Sequence, residues 1–117
     1  MTKVIDYQLA LEQSEGSEEL AKELFSMLLT ELPGLQQKLN LAVKENDLQA
    51  CWDHAHKIYG STSYCGVPAL REAAQIMEEA VKDADLGKVE ENFTALSAEI
   101  ERLLEQGQPA LADSWTK

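Results

Sequence analysis

The chain has 117 residues, 44% of them hydrophobic and 26% charged, with only three prolines and six glycines. That is enough for one domain with a core of its own, and the scarcity of breakers favours long regular elements over a strand-and-turn fold. A formal net charge of −11, from 21 acidic and 10 basic residues, disfavours nucleic acid and anionic membrane surfaces as partners.

No apolar run approaches the roughly 20 residues of a bilayer span. The opening "MTKVIDYQLALEQ" is interrupted by polar groups and lacks the apolar stretch of a signal peptide. The expected compartment is the cytosol, where Cys51 and Cys65 stay reduced. A disulfide between them is not needed.

The elements follow in chain order. "IDYQLALEQ" predicts a short helix ended by Gly16. Ser17 then predicts the N-cap of a long amphipathic helix, with Glu18 and Glu19 in its first turn. Its apolar stripe is Leu20, Leu24, Met27, Leu28, Leu32, Leu35, Leu39 and Ala42, at spacings of three and four. Pro33 lies inside that pattern and predicts a kink or a split, because proline removes a helix hydrogen bond.

Asn46 or Asp47 can cap the next helix, which runs through His54 and His56 to about Thr62. "YCGVP" breaks it, and Pro68 suits the first position of another helix, which carries Leu70, Ala73, Ala74, Met77, Ala80 and Val81. In that helix the adjacent carboxylates Glu78 and Glu79 read as solvated surface. "KDADLG" predicts a turn. Val89, Phe93, Leu96, Ile100, Leu103 and Leu104 mark the last helix, with a tail after Gly107. Each long helix has one apolar stripe to bury. The expected fold is therefore all-α: an antiparallel four-helix bundle with a short additional N-terminal helix and a kink near Pro33. The expected division is a bundle over residues 1–106 and a tail over 107–117.

Both histidines and both cysteines of the chain fall within "CWDHAHKIYGSTSYCGVPAL". At about 100° per residue, Leu48, Cys51, Ala55, Ile58 and Thr62 share one face. His56 lies about 120° from the middle of that face and is expected in solvent; His54 lies about 80° away on the opposite flank. The two point in different directions and cannot share a ligand. Trp52, Tyr59 and Gly60 lie on the same side as His56. Glycine inside a helix costs about 1 kcal/mol relative to alanine. Gly60 reads either as clearance beside the imidazole or as a helix-end or close-packing residue. A solvent-facing imidazole near its ordinary pKa keeps a nucleophilic nitrogen at neutral pH.

"AHKIYGSTSYCGVPALREAAQIME" resembles the signature of histidine-containing phosphotransfer (HPt) domains. The matching residues are His56, Ile58, Gly60 and Ser61, then Gly66 with Leu70. The upstream "DYQLALEQSEGSEELAKELFSMLLTELPGL" is similar to the usual opening of the family, and the likeness spans roughly residues 5–104. It is nearest to the C-terminal domains of hybrid sensor kinases of the BarA/GacS type.

The resemblance implies that His56 is a phosphoacceptor. It would take a phosphoryl group from a receiver-domain aspartyl phosphate and pass it to the aspartate of a response regulator. It implies a monomeric phosphocarrier rather than an enzyme, with no cofactor of its own; Mg²⁺ and the acidic pocket belong to the partner receiver. The chain has no Gly-rich phosphate loop or Walker motif, which agrees. The docking surface is expected to include Trp52, Lys57, Tyr59, Gly60 and Ser63, with no direct membrane contact. Many family members have lysine three residues after the histidine; here that position is Tyr59. Tyr59 would offer a neutral hydrogen bond instead, and Lys57 a long side chain from nearby. The alternatives are a non-catalytic helical adaptor, or a metal site on Cys51 and His54, which lacks the further ligands that such sites need.

Overall fold

The computed structural model describes residues 2–112. Its helices are α1 (Tyr7–Gln13), α2 (Glu18–Lys44), α3 (Leu48–Ser61), α4 (Pro68–Lys82) and α5 (Leu86–Ala112), with a short 3₁₀ turn at Thr62–Tyr64. No strand occurs among the described residues. No helix there is long and apolar enough to cross a membrane.

Local chemistry places the boundaries. Four side chains accept a hydrogen bond from the backbone N–H three residues on: Asp6 from Leu9, Ser17 from Leu20, Asp47 from Ala50 and Asp85 from Lys88. Helix α4 has no such cap and begins instead on Pro68, whose missing N–H would be unpaired there anyway. Between α2 and α3 the two capping candidates divide the work. Asn46 takes the left-handed conformation (φ 55°) that ends α2. The N–H of Asp47 donates to Ala42 at 3.0 Å while its side chain opens α3.

Helices α2 and α4 each pack against both α3 and α5, which closes a ring of four around one core. The connections between α2 and α3 and between α4 and α5 are three residues long, so those neighbours run antiparallel. The molecule is 41 Å long, about the length of a 27-residue helix at 1.5 Å per residue. Phe25, Leu32, Leu39, Ile58, Leu70, Met77, Leu96, Ile100 and Leu103 fill the centre.

The structure departs from the pattern reading at four places. Pro33 does not divide α2, which runs through it as one helix. Proline faces solvent there, and Leu28, Leu29, Leu32 and Leu35 are buried on both sides of it, so tertiary packing outweighs one lost hydrogen bond. Leu20 and Met27 belong to the surface, at 42% and 51% exposure, and Ala21, Phe25 and Leu29 take the core positions. The run "LFSMLL" has apolar residues on more than one side, and the approach of α5 selects among them. Gly107 does not end α5. It is buried where α5 meets α2, and a Cβ there would lie 2.9 Å from Leu29 Cδ2 and 3.1 Å from Phe25 Cζ. The helix continues to Ala112, so position 107 lies inside it; residues 113–117 of the expected tail lie outside the described residues. Finally, Glu78 is buried while Glu79 is exposed.

Gly66 holds the N-terminal segment. Its φ is +63°, and a Cβ would sit 2.5 Å from Asp6 O and 2.6 Å from Ala10 Cβ. Its carbonyl accepts from Asp6 N–H at 2.8 Å and its N–H donates to Gln13 Oε1 at 3.0 Å. Gly66→Ala adds left-handed strain of about 1–2 kcal/mol to an overlap with α1 backbone. It is expected to destabilise by at least about 2 kcal/mol in chemical denaturation and to speed amide exchange at Asp6. Ala84 is the opposite case: exposed, with φ 54° just past α4. Ala84→Gly is expected to raise stability by about 1 kcal/mol, read as a higher denaturation midpoint, because glycine adopts this conformation without the Cβ penalty.

Candidate functional site

Helix α3 buries Cys51, Ala55 and Ile58, and the buried Thr62 follows at its end. That leaves His56 pointing outward, with its side chain 60% exposed. His54 is half-buried on the other flank. Across the groove, α4 presents Glu78, whose side chain is only 11% exposed. Glu78 Oε1 lies 3.0 Å from His56 Nδ1. A carboxylate accepts and does not donate, so Nδ1 carries the hydrogen. The lone pair of the neutral ring is then on Nε2, in a side chain that is largely exposed.

A second group holds the ring. The half-buried Trp52 stacks on His56, with centroids 5.1 Å apart and planes 14° from parallel. This is an offset aromatic stack in the favourable range. Lys82, one turn beyond Glu78 on α4, lies over Trp52 with Nζ 5.2 Å from the ring centroid. Gly60, one turn after His56, is exposed, and a Cβ built on it meets nothing within 4 Å. The empty space rules out close packing; Gly60 is the last residue but one of α3, so it is a helix-end glycine that also leaves the flank of His56 open.

Tyr59 and Ser63 take part in a different arrangement. Arg71 of α4 donates to the Tyr59 hydroxyl at 2.9 Å and to Thr62 Oγ1 and Ser63 Oγ at 3.2 Å each. Its guanidinium lies 4.2 Å from the Tyr59 ring centroid. The half-buried Tyr59 and Ser63 are therefore fastened at the end of α3. Lys57 is exposed and lines a groove on the α2 side with Glu31, Gly34, Leu35 and Lys38. On the far side of Gly60 lies a second shallow groove, walled by Leu24, Met27, Leu28, Tyr64 and Cys65.

The sequence pattern reads Glu78 as solvated surface and does not name Arg71 or Lys82. Glu78 had a signal: it follows Met77 and precedes Val81 by three, which puts it on the apolar stripe of α4. Both cysteines are buried thiols without a partner sulfur. Burial pushes Cys65 up to about 11 and raises Cys51 as well, so neither is a poised nucleophile. Among the described residues, no group of three or more His, Cys, Asp or Glu side chains is arranged for a metal ion.

With this geometry, comparison with known proteins is informative. The profile of the Hpt domain family matches residues 23–106. The chain belongs to the Hpt domain family. It is 35% identical over 83 residues to the sensor histidine kinase GacS of Pseudomonas protegens, covering 71% of this chain and 9% of that one. To the signal transduction histidine-protein kinase BarA of Escherichia coli K12 it is 33% identical over 78 residues, covering 67% and 8%. The chain thus spans about a tenth of these relatives. A crystal structure of the HPT domain of a hybrid histidine kinase from Shewanella superposes with a TM-score of 0.85 at 28% identity, covering 95% of this chain and 97% of that one. Hpt domains are phosphorelay carriers that interact with receiver domains, and membership of the family makes this chain a phosphorelay intermediate.

Because the space beside Gly60 is empty, substitution there separates folding from access. Gly60→Gln is expected to keep or raise stability, by up to about 1 kcal/mol, and to slow phosphoryl transfer. Thermal denaturation and transfer kinetics on the same variant check the two halves.

Proposed function

We propose that His56 Nε2 is the phosphoacceptor of this chain, filled from the aspartyl phosphate of one receiver domain and emptied to the aspartate of a response regulator. The observation that carries this reading is the contact between His56 Nδ1 and Glu78, which leaves Nε2 as the outward nitrogen of an exposed ring next to the open flank at Gly60.

The chemistry is a displacement at phosphorus. The Nε2 lone pair forms the new N–P bond as the O–P bond of the acyl phosphate breaks, and the aspartate carboxylate leaves with the bonding electrons. No proton moves: Nδ1–H remains on Glu78. Phosphoryl transfer needs positioning and charge stabilisation more than covalent help from the protein. This chain supplies the positioned nucleophile, and the receiver supplies the acidic pocket and Mg²⁺. The carrier therefore binds no cofactor and is not an enzyme by itself.

The receiver would dock over the His56 face. The exposed Met27 and Tyr64 with Leu24 give an apolar platform on one side of Gly60, and Lys57 and Lys82 give positive charge around it. Such a contact is small and transient, at or below about 1,200 Å² in total. The domain works as a monomer in the cytosol, at the cytoplasmic end of a sensor kinase.

Incubation with radiolabelled phospho-receiver domains tests the assignment. Wild type and His54→Ala are expected to take up acid-labile, base-stable label, and His56→Ala none. Label on His56→Ala, or loss confined to His54→Ala, would place the phosphate elsewhere. Tight receiver binding without transfer would make the chain a non-catalytic adaptor.

A further inference from the structure

Trp52 lies four residues before His56 on α3, which makes the two side chains neighbours. Both rings are held from α4 as well: Glu78 contacts His56 at Nδ1, and Trp52 is half-buried beside Leu48, Val81 and Lys82. We infer that Trp52 is a positioning residue that stabilises the phosphorylated form of His56 through its stacked indole face. The inference rests on His56 as the phosphoacceptor.

The argument follows the charge on the ring. Before transfer the imidazole is neutral, with hydrogen on Nδ1 and a lone pair on Nε2. When Nε2 bonds to phosphorus it gives up that lone pair and no proton leaves, so the ring becomes an imidazolium bearing the phosphoryl group. The receiver aspartate takes the compensating negative charge as its carboxylate. The reverse step restores the neutral ring. Anything that favours a positive ring over a neutral one therefore shifts the transfer equilibrium toward phosphohistidine.

Glu78 and Trp52 both contact this ring, and both prefer the positive form. Glu78 is a carboxylate at hydrogen-bond distance. Trp52 offers the electron-rich face of an indole, parallel to the ring within 14° and 5.1 Å from it by centroids. Tryptophan is the strongest of the aromatic side chains in attracting a cation to its face. Lys82 also approaches the indole but is exposed, where water screens its charge. The ordinary alternative is that Trp52 merely covers the α3–α4 groove. Groove cover changes how much of the chain is folded. It does not change how phosphate divides between His56 and a receiver among folded molecules.

The measurement uses the full chain and the radiolabelled receiver domain that labels His56 in the preceding experiment. Forward rate, return rate and end-point distribution are followed for wild type, Trp52→Phe and Trp52→Leu, with circular dichroism confirming that each is folded. Trp52→Leu is expected to lower the equilibrium constant for phosphohistidine formation about two- to fivefold, mainly through a faster return step. Trp52→Phe, which keeps an aromatic face, is expected to stay within about twofold of wild type. If the leucine variant does not fold, Trp52→Met serves as the non-aromatic member of the pair. An unchanged equilibrium constant in the non-aromatic variant overturns the inference, even if forward and return rates fall together, which would be a docking effect. An equal loss in Trp52→Phe also overturns it. A wild-type chain that takes no label from any receiver removes the phosphoacceptor reading, and this inference with it.

Discussion

The hydrogen bond between His56 Nδ1 and Glu78 Oε1 spans the groove between α3 and α4, and the placing of the exposed imidazole depends on it. A carboxylate this close to the core is costly to desolvate unless a donor satisfies it. The imidazole is that donor. In return the carboxylate selects one tautomer for His56 and, together with the Trp52 stack, one orientation for a ring that is 60% exposed. The arrangement works only because α3 and α4 pack together along their length. Ile58 on one helix and Met77 on the other, both fully buried, set the spacing within which a histidine and a glutamate can meet.

Three glycines illustrate how the same residue answers different constraints. Gly60, near the end of α3, faces open space: a Cβ there would meet nothing from the rest of the fold within 4 Å. Gly66 is needed for its left-handed backbone and for the contact with Asp6 and Ala10 that binds α1 to the bundle. Gly107 is needed because Phe25 and Leu29 come too close for any side chain. Open space, backbone conformation and packing are thus met at three separate positions.

Charge is distributed unevenly for a chain of net −11. Lys57 and Lys82 lie beside the His56 face, and Arg71 is committed to Tyr59, Thr62 and Ser63. Arg71 shows why Tyr59 is not a simple replacement for a lysine. Its hydroxyl already accepts from the guanidinium, and its ring lies under it, so the pair acts as a brace for the end of α3. The lysines stand among carboxylates there, with Glu78 on His56 and Glu31 in the groove beside Lys57, so the face carries both signs of charge within an acidic molecule.

The sequence by itself determined what depends on neighbours within a few residues. The cap at Ser17, a cap at Asn46 or Asp47, the start of α4 at Pro68, the all-helical class and the outward direction of His56 follow from side chains meeting their own backbone and from a fixed 100° step. The tertiary structure decided whatever depends on a second helix. It put Glu78 against His56 rather than in water, and Arg71 against Tyr59, because only packing sets the distance between positions 12 and 22 residues apart. It carried α2 through Pro33 and α5 through Gly107, where burial of the flanking leucines against neighbouring helices outweighs local preference. Periodicity identifies a face; which side chain across the groove meets it is a matter of helix register, and register is a property of the packed core.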